Sequence, residues 1–391
     1  MIAGTKTLLD AGASLARAER ETGLRDYGDD GLKARLSSLV AQVRGHGLTG
    51  EAERAAADVI HWLLASRLRF FDDHKRYALD REPISRPVIA TGEARSGTTL
   101  LHALLAEDPR ARALRFWEVM YPSPVPGLAK ADDPRIARAD ADWREIIERI
   151  PRWMASHPYN DMLGNGLPEC ERAWAFDFRA TVPTAWWRAP IPATSARVPP
   201  DPLAQYRLHR MMLQHCQHGR EPRYWVLKGT SHHHRLRALF ETYPDAQLIW
   251  IHRDPVQATA SRIVLTGQIY EHIIGHLDWK AHAAETLAIC RANYAGNAKD
   301  PLADDKRIFH VRYHEFTHDP VAKIREVYEY FDVPFDARTE TPMRAWLQSN
   351  KPDRYGKFVY SLGAIGEDIE ALYREFSPYI ERFGVRREHR N

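Results

Sequence analysis

The sequence predicts an α/β fold in which a parallel sheet is flanked by helices. Short apolar runs, each typical of a buried strand, alternate with segments of helical periodicity. This alternation indicates parallel strands joined by crossover helices on both faces of the sheet. The first apolar run enters a glycine-containing turn that precedes a helix, which is typical of a phosphate-binding loop. The fold class is therefore a P-loop-like parallel sheet, with a helical N-terminal extension and an irregular helical insertion.

The chain before this sheet reads as helical. Apolar residues within Ala57–Tyr77 recur close to the helical period, which predicts a packing helix. We therefore expect residues 1–80 to form a helical N-terminal extension and residues 81–391 to form the α/β domain. Proline and tryptophan are frequent at about 120–222, and regular periodicity is poor there. This segment is too long for a plain loop, so we expect an insertion of short helices and turns that covers the site.

Four apolar runs are predicted to be buried strands. They are Val88–Ala90, Tyr224–Gly229, Ala246–Pro255 and Arg307–Tyr313. A helix is predicted from Thr98 and is stopped by Pro109. Because ligands of open α/β sheets bind at the carboxyl ends of the strands, we expect functional residues directly after these runs.

Composition narrows the function classes. Hydrophobic residues make up 44% and charged residues 27% of the 391 residues, as in ordinary globular proteins. The net charge is only +3 without a long basic run, so nucleic acid is not an expected partner. The three widely spaced cysteines form no disulfide framework, which favours a reducing compartment. The apolar stretch at the N-terminus is too short for a signal peptide or membrane span, so we expect a cytoplasmic protein.

The first turn matches GxxxxGK[ST] in its glycine spacing, but Thr98 stands where that loop carries lysine. Gly97 lets the backbone approach an anion, and the amides that open the following helix point at it. Arg95 is the expected source of positive charge, because a guanidinium is always ionised and makes forked contacts with phosphate-like oxygens. The alternative is an accidental glycine turn with a surface arginine.

A second anion site is predicted after the strand that contains "LIWIH". Arg253 and Asp254 follow this strand, and Pro255 helps to start a helix that carries Ser261. Arg253 and Ser261 can together hold another phosphate. The alternative is a salt-bridged strand end.

Taken together, these segments resemble the sulfotransferases that use 3′-phosphoadenosine 5′-phosphosulfate, and more specifically the bacterial branch related to tyrosylprotein sulfotransferases. The resemblance rests on "ARSGTTLLHALLAEDPRARALRFWEVMYPSP", "WVLKGTSHH", "PDAQLIWIHRDPVQATAS" and "VRYHEFTHDP", in the family's order over most of residues 86–332. It explains the need for two anion sites, because the donor carries a 5′-phosphosulfate and a 3′-phosphate. It also implies a reaction without a metal ion, which removes the demand for a loop lysine paired with magnesium.

The resemblance implies a set of nucleotide-binding residues. These are Arg95, Ser96, Gly97, Thr98 and Thr99 for the 5′ side, Arg253 and Ser261 for the 3′-phosphate, and Tyr313 near the adenine. In relatives a late basic loop closes over the nucleotide. Lys351, Arg354 and Lys357 within Ser349–Gly363 are the expected equivalents, although basic loops are often only solvated.

In-line transfer of the sulfonyl group needs a base for the acceptor hydroxyl. Glu118, just past the expected end of the second strand, is the favoured base, since tyrosylprotein relatives have a glutamate in a comparable place. The alternative is a surface or salt-bridged glutamate. Glu169, Glu171 and His102 are rivals for the same role. His102 lies on the first helix after the loop, and a histidine at such a position more often packs inside the fold than takes part in catalysis.

Lys228 matches the family lysine that contacts the sulfonyl and leaving-group oxygens, a role that Arg95 would share. The alternative is an exposed lysine at a strand end. The run "SHHH" invites a metal interpretation, but consecutive helical residues diverge by ~100°, so we expect no metal site there. The resemblance places His232 near the active site.

The acceptor is less well defined. Four tryptophans in the insertion, Trp153, Trp174, Trp186 and Trp187, favour a pocket for a hydrophobic alcohol, phenol, sterol or lipid, or else a small local core. We therefore expect a sulfotransferase that acts on a hydroxyl of a small hydrophobic acceptor. The alternatives are a P-loop kinase or other phosphotransferase, with Asp254 as a magnesium ligand, and a non-catalytic nucleotide-binding protein. The sequence does not set the oligomeric state.

Overall fold

A five-stranded parallel sheet forms the centre of the computed structural model, which describes residues 8–45, 47–179, 201–221, 223–351 and 353–388. The strands are β1 (Val88–Thr91), β2 (Ala111–Arg112), β3 (Tyr224–Lys228), β4 (Gln247–His252) and β5 (Ile308–Arg312). Their order is β2-β3-β1-β4-β5, and every neighbouring pair is parallel. The predicted fold class is confirmed, and the four predicted strands are present. The expected second strand contains only two residues.

Helices surround this sheet and fill most of the described chain. The α-helices are α1 (Ala11–Thr22), α2 (Leu32–Gly45), α3 (Gly50–Arg76), α4 (Thr98–Leu105), α5 (Phe116–Met120), α6 (Pro134–Arg149), α7 (Trp153–Ser156), α8 (Pro202–Gln217), α9 (Leu236–Thr242), α10 (Pro255–Ile274), α11 (Trp279–Asn297), α12 (Tyr313–His318), α13 (Pro320–Tyr330), α14 (Ala337–Ser349), α15 (Ile369–Glu375) and α16 (Ser377–Phe383). Short 3₁₀ turns include Cys170–Asp177 and His232–His234. None of the helices in the described ranges is both long and apolar enough to cross a bilayer.

Both faces of the sheet are buried, as expected for a parallel sheet. Alternate residues of β4 belong to two different hydrophobic clusters: Leu248 and Trp250 lie in one, and Ile249 and Ile251 lie in the other. This alternation follows from the two-residue period of a strand. Continuous apolar runs in the sequence are therefore the signature of strands that are covered on both faces.

The N-terminal helices share a core with one face of the sheet. Leu36 of α2 and Leu64 of α3 are fully buried in the cluster that also contains Leu248 and Trp225. The predicted helical extension is confirmed, and α3 begins at Gly50, before the periodic segment that predicted it. The domain boundary near residue 80 stays a prediction, because the buried residues on its two sides form one continuous cluster.

The described part of the insertion contains the predicted short helices and turns, such as α7, but α6 and α8 are each 16 residues long, so the expectation of short elements alone is wrong. Residues 180–200, which include Trp186 and Trp187, lie outside the described residues. Trp153 packs in a local aromatic cluster, and Trp174 packs in the main core; each is only 3% exposed. These two tryptophans are therefore core residues, which is the alternative to an acceptor pocket, and they do not line an open pocket.

Candidate active site

The loop between β1 and α4 has a backbone that depends on glycine. Gly97 has φ +92°, and a Cβ atom there would lie 3.0 Å from the ring of Tyr313. At Gly92, with φ +152°, a Cβ atom would lie 2.4 Å from the carbonyl oxygen of Ile251. Arg95 adopts φ +74°, a conformation that non-glycine residues rarely take and that clusters at binding sites. The glycine spacing that predicted a phosphate loop therefore has a steric cause.

The hydroxyl groups of this loop surround the start of α4. Ser96 is buried, and its hydroxyl has no hydrogen-bond partner among the residues that the structure describes. Thr98 is buried at the first position of α4, and Thr99 is exposed beside it. A buried hydroxyl next to helix-opening amides is an arrangement that suits an anion.

Arg95 turns from the loop toward α10. Its Nε donates to the hydroxyl of Ser261 at 3.0 Å, and its Nη1 donates to the carbonyl oxygen of Ser156 at 3.1 Å. The guanidinium also lies 4.8 Å from the centre of the Phe358 ring. Burial, together with the nearby charge of Arg253, lowers the pKa of Arg95 to about 10. Arg95 is therefore still cationic at neutral pH.

Arg253 lies at the carboxyl end of β4 and reaches the same loop. Its Nη1 donates to the carbonyl oxygen of Arg95 at 2.7 Å, and its guanidinium lies 4.5 Å from the centre of the Tyr313 ring. Burial disfavours its charge, but hydrogen bonds to Glu388 raise the pKa of Arg253 above its ordinary value. The two arginines that were predicted to hold separate anionic groups are thus in direct contact at one edge of the sheet.

Lys228 lies at the end of β3, paired in register with Ala90 of β1. Its Nζ donates to Oε1 of Glu169 at 2.7 Å; the lysine side chain is 5% exposed and the glutamate side chain 44%. Burial raises the pKa of Glu169, but the charge and hydrogen bond of Lys228 outweigh it and leave the pKa below its ordinary value. Glu169 is therefore a partly exposed carboxylate beside a buried cation.

Glu171 follows two residues later, inside the 3₁₀ turn that Glu169 precedes, and has different surroundings. Its Oε1 accepts hydrogen bonds from the backbone N–H of Ser231 at 2.9 Å and from the Ser231 hydroxyl at 2.6 Å. Burial and the neighbouring charge of Glu169 raise the pKa of Glu171. The two glutamates of "PECER" thus differ in charge preference, because only Glu169 has a cation in direct contact.

A histidine that sequence reasoning missed lies in this region. Burial, followed by the charges of Arg95 and Lys228, lowers the pKa of His157 to about 3, so its ring is neutral. Its Nδ1 lies 2.8 Å from the hydroxyl of Ser156, and its ring stacks on Trp153 with centroids 4.1 Å apart. The segment "SHPYN" carries no periodic or spacing signal that could have identified it.

Glu118 lies on α5 in a buried ion-pair cluster. Its Oε1 lies 2.8 Å from Arg112 and 3.0 Å from Arg220. Its Oε2 accepts a hydrogen bond at 2.9 Å from the backbone N–H of Arg115, the N-cap residue of the same helix. The carboxylate is 0% exposed, and none of these contacts is with Arg95 or Lys228. This geometry matches the salt-bridged alternative that was set against Glu118 as the base.

His102 is packed inside the fold. Its ring is buried on α4, with Nε2 3.3 Å from the carbonyl oxygen of Val226. Burial, with the charge of Lys228 as a second cause, lowers the pKa of His102 to about 3. This environment is that of a buried core histidine, and it gives His102 no exposed face that could meet an acceptor.

The three consecutive histidines do not all face one site, as expected, but two of them converge. His232 is buried elsewhere, but His233 and His234 both contact Oε1 of Glu93, at 3.2 and 2.8 Å. The rings of His233 and His234 bend toward the same carboxylate from a short 3₁₀ turn, with centroids 3.7 Å apart. Oε2 of Glu93 lies 3.3 Å from Arg262, so the carboxylate already has a cationic protein partner.

The late loop reaches the site, but not through the basic residues that were singled out. Lys351 is exposed, and the Lys357 side chain is 78% exposed. Arg354 forms an ion pair with Asp161 at 2.9 Å and donates to the carbonyl oxygen of Pro158 at 2.7 Å. A direct role of these three cations at the nucleotide stays a prediction.

Aromatic residues of the same loop contact both arginines. Phe358 lies over Arg95, and the hydroxyl of Tyr360 accepts a hydrogen bond from Nη2 of Arg253 at 3.1 Å. The sequence interpretation considered only the charges of this loop and missed its aromatic contacts.

Comparison with known proteins settles the family. Residues 87–337 match the description "Sulfotransferase family". The chain belongs to the sulfotransferase family. This match covers well over half of the 391 residues and includes both arginine sites, Lys228 and Tyr313. The protein is therefore a sulfotransferase enzyme.

Solved sulfotransferase structures are similar over nearly the whole chain. The crystal structure of STF9 from Mycobacterium avium is 28% identical with a TM-score of 0.83, and the similarity covers 99% of each chain. That of STF1 from Mycobacterium tuberculosis H37Rv is 25% identical with a TM-score of 0.72, covering 95% of this chain and 99% of that chain. This sulfotransferase thus shares its helical N-terminal region as well as its sheet with them.

Among curated relatives, the omega-hydroxy-beta-dihydromenaquinone-9 sulfotransferase Stf3 from Mycobacterium bovis is 24% identical over 259 residues. The match covers 62% of this chain and 62% of that relative. The similarity therefore spans less than two thirds of the relative's length. The assignment to a branch related to tyrosylprotein sulfotransferases stays a prediction.

Proposed function

We propose that this sulfotransferase transfers a sulfonyl group from 3′-phosphoadenosine 5′-phosphosulfate to a hydroxyl of a small hydrophobic acceptor. The observation that carries the proposal is the 2.7 Å contact between the Arg253 guanidinium and the carbonyl oxygen of Arg95. It joins the loop after β1 to the end of β4. A nucleotide with anionic groups at both its 5′ and 3′ positions needs two such sites within the length of one molecule.

The described groups fit the two ends of this donor. The amides that open α4, with Thr98, Thr99 and Arg95, suit the 5′ side. Arg253 and Ser261 suit the 3′-phosphate, because a guanidinium and a hydroxyl both donate to phosphate oxygens. The Tyr313 ring lies between the glycine turn and Arg253, where it can meet the nucleoside.

When bound, the donor supplies an activated sulfonyl group attached to a phosphate leaving group. Lys228 and Arg95 supply positive charge near the end of β1, where negative charge develops on the transferred and leaving oxygens. Glu169 is our preferred base. Its carboxylate is partly exposed and ionised, so it can accept the proton of an acceptor hydroxyl.

We prefer Glu169 to Glu118 because of their contacts. Glu118 is 0% exposed and holds two arginines, so protonating it would leave buried positive charge without a partner. Glu171 is a weaker candidate, because burial and Glu169 raise its pKa and favour its neutral form. The preference therefore rests on exposure and charge rather than on the motif.

The acceptor class follows from the family and from composition. The relative Stf3 is named for a hydroxylated menaquinone, a lipid-like molecule. A hydrophobic alcohol, phenol, sterol or lipid hydroxyl is thus the proposed acceptor for this chain. We also retain the prediction of a cytoplasmic protein.

A phosphotransferase function is less well supported. Asp254, the residue that would bind magnesium, caps α10 by accepting from the N–H of Val256 at 2.9 Å. Its other oxygen accepts from the hydroxyl of Tyr373 at 2.8 Å. Both oxygens are therefore engaged in structural hydrogen bonds, and Thr98 occupies the position of the loop lysine.

The test is label transfer from ³⁵S-labelled donor to a panel of hydroxylated lipids, sterols and phenols. We expect transfer to at least one of them, and a loss of about 100-fold in kcat/KM for Arg95→Ala, as for removal of a transition-state donor. Arg344→Ala is the control, because Arg344 is a half-exposed residue of α14 that pairs with Glu340. Transfer of phosphate from ATP, with none of sulfonyl, would contradict the proposal.

A further inference from the structure

The carboxylate of Glu388 lies directly on the forked edge of Arg253. Its Oε1 is 2.7 Å from Nε, and its Oε2 is 2.7 Å from Nη2. This bidentate geometry is also the one by which arginine binds phosphate. Glu388 belongs to the segment that follows α16, 135 residues from Arg253 in sequence. An acidic side chain from the far end of the chain thus occupies the anion site that we assign to the 3′-phosphate.

The backbone around Glu388 is held by the same elements that present Arg253. The N–H of Glu388 donates to Oδ2 of Asp254 at 2.8 Å, and Nε2 of Gln257 donates to the carbonyl oxygen of Glu388 at 3.3 Å. The preceding Arg387 lies over the ring of Tyr373. Because β4 and α10 bind both the main chain and the side chain, Glu388 is positioned by several independent contacts.

The donors of Arg253 are almost fully used in this arrangement. A guanidinium has five N–H donors. Glu388 takes Nε and one N–H of Nη2, Tyr360 takes an N–H of Nη2, and the carbonyl oxygen of Arg95 takes one of Nη1. One N–H of Nη1 has no partner among the residues that the structure describes. A phosphate cannot obtain the forked edge of Arg253 while Glu388 holds it.

We propose that Glu388 is a built-in competitor for the 3′-phosphate site, which the donor nucleotide must displace before it is fully bound. This inference rests on the proposed function, because it takes Arg253 as the 3′-phosphate ligand. A phosphate monoester carries a charge of about −1.5 to −2 at neutral pH, whereas a carboxylate carries −1. The phosphate therefore binds Arg253 more strongly than Glu388 does and displaces it. Displacement breaks the two bonds between Glu388 and Arg253 and so weakens the attachment of this segment, which Asp254 and Gln257 hold only through its main chain. How firmly the segment around Glu388 is held therefore depends on whether a nucleotide occupies the 3′-phosphate site.

The first test compares Glu388→Gln with the wild type by isothermal titration with adenosine 3′,5′-bisphosphate and adenosine 5′-monophosphate. If Glu388 holds the site closed about 90% of the time, removing its charge tightens the bisphosphate Kd about tenfold. The monophosphate Kd stays unchanged, because that ligand has no 3′-phosphate. Glu375→Gln is the matched control: it removes one carboxylate from nearby α15, where Glu375 pairs with Arg291, and leaves both Kd values at the wild-type level.

A second test uses the wild-type protein and trypsin. Arg386 and Arg387 precede Glu388 and are already exposed, so loosening of the main chain that follows them makes these sites easier for trypsin to cleave. We expect the bisphosphate, but not the monophosphate, to accelerate removal of the C-terminal residues several-fold, as followed by intact mass. Equal cleavage with and without bisphosphate overturns the inference.

The outcomes separate the two proposals. Bisphosphate that binds wild type and Glu388→Gln equally, or binds the variant more weakly, overturns the competitor role and leaves the donor assignment intact. Bisphosphate that binds none of the proteins overturns the donor assignment and the competitor role together.

Discussion

Replacing Gly97 with alanine tests how closely the phosphate loop is fitted to its surroundings. The φ angle of +92° disfavours any residue with a Cβ atom, at about 1 kcal/mol. The added methyl group would also lie 3.0 and 3.1 Å from two ring carbons of Tyr313, and relieving such overpacking costs about 1 kcal/mol more. The expected loss of about 2 kcal/mol lowers Tm by about 2 °C, since the unfolding entropy of 391 residues is about 0.8 kcal/mol/K.

The assay is scanning calorimetry, combined with titration of adenosine 3′,5′-bisphosphate. Binding should weaken more than tenfold, because displacement of Tyr313 disturbs both anion sites. Gly296→Ala is the matched control: this glycine is near the end of α11, and a methyl group added there would meet no neighbouring side chain of the described residues within 4 Å. Alanine there should raise Tm by up to about 1 °C through helix propensity and leave binding unchanged. Equal Tm values for the two variants would refute the steric account of the loop.

The other predictions concern the charged groups and the thiols. Glu169→Gln should lower kcat about 100-fold without changing nucleotide Kd, the usual scale for loss of a general base, as measured by label transfer. Glu118→Gln should instead lower Tm by about 4 °C, because it leaves Arg112 and Arg220 without a buried partner; an unchanged Tm with lost kcat would restore Glu118 as the base. Lys228 holds the pKa of Glu169 below its ordinary value despite burial, so the carboxylate stays ionised at neutral pH and kcat should fall only on the acid side of an ordinary glutamate titration. A fall of kcat centred near pH 6 would contradict the assignment of Glu169 as the base. The three buried cysteines should resist a thiol reagent until the protein unfolds.

The strands and the phosphate loop could be predicted because their causes are local. Residues 248–251 of β4 face two buried layers in alternation, so all of them are apolar. Gly92 and Gly97 are required by their own φ angles and by atoms that any Cβ would approach. The spacing of Arg253 and Ser261 follows from one strand end and two turns of one helix. The residues that cause each of these features lie close together in the sequence, so a short stretch is enough to predict it.

The features that escaped prediction depend on contacts between distant parts of the chain. The environment of Glu118 is set by Arg220, and that of Arg253 by Glu388. No local pattern distinguishes a glutamate that will meet two arginines from one that will face an acceptor. Phe358 was passed over for the same reason, because its contact with Arg95 joins the C-terminal loop to the start of the domain.

The most direct test of the account is the ratio of two dissociation constants. We predict that the wild-type protein binds adenosine 3′,5′-bisphosphate about 10–150-fold more tightly than adenosine 5′-monophosphate, the range for a hydrogen bond to a charged group. In Arg253→Met most of this preference should be lost, leaving only the part that Ser261 supplies, with the monophosphate Kd unchanged. Equal binding of the two nucleotides by the wild type would contradict the claim that Arg253 and the loop of Arg95 hold the two ends of one donor.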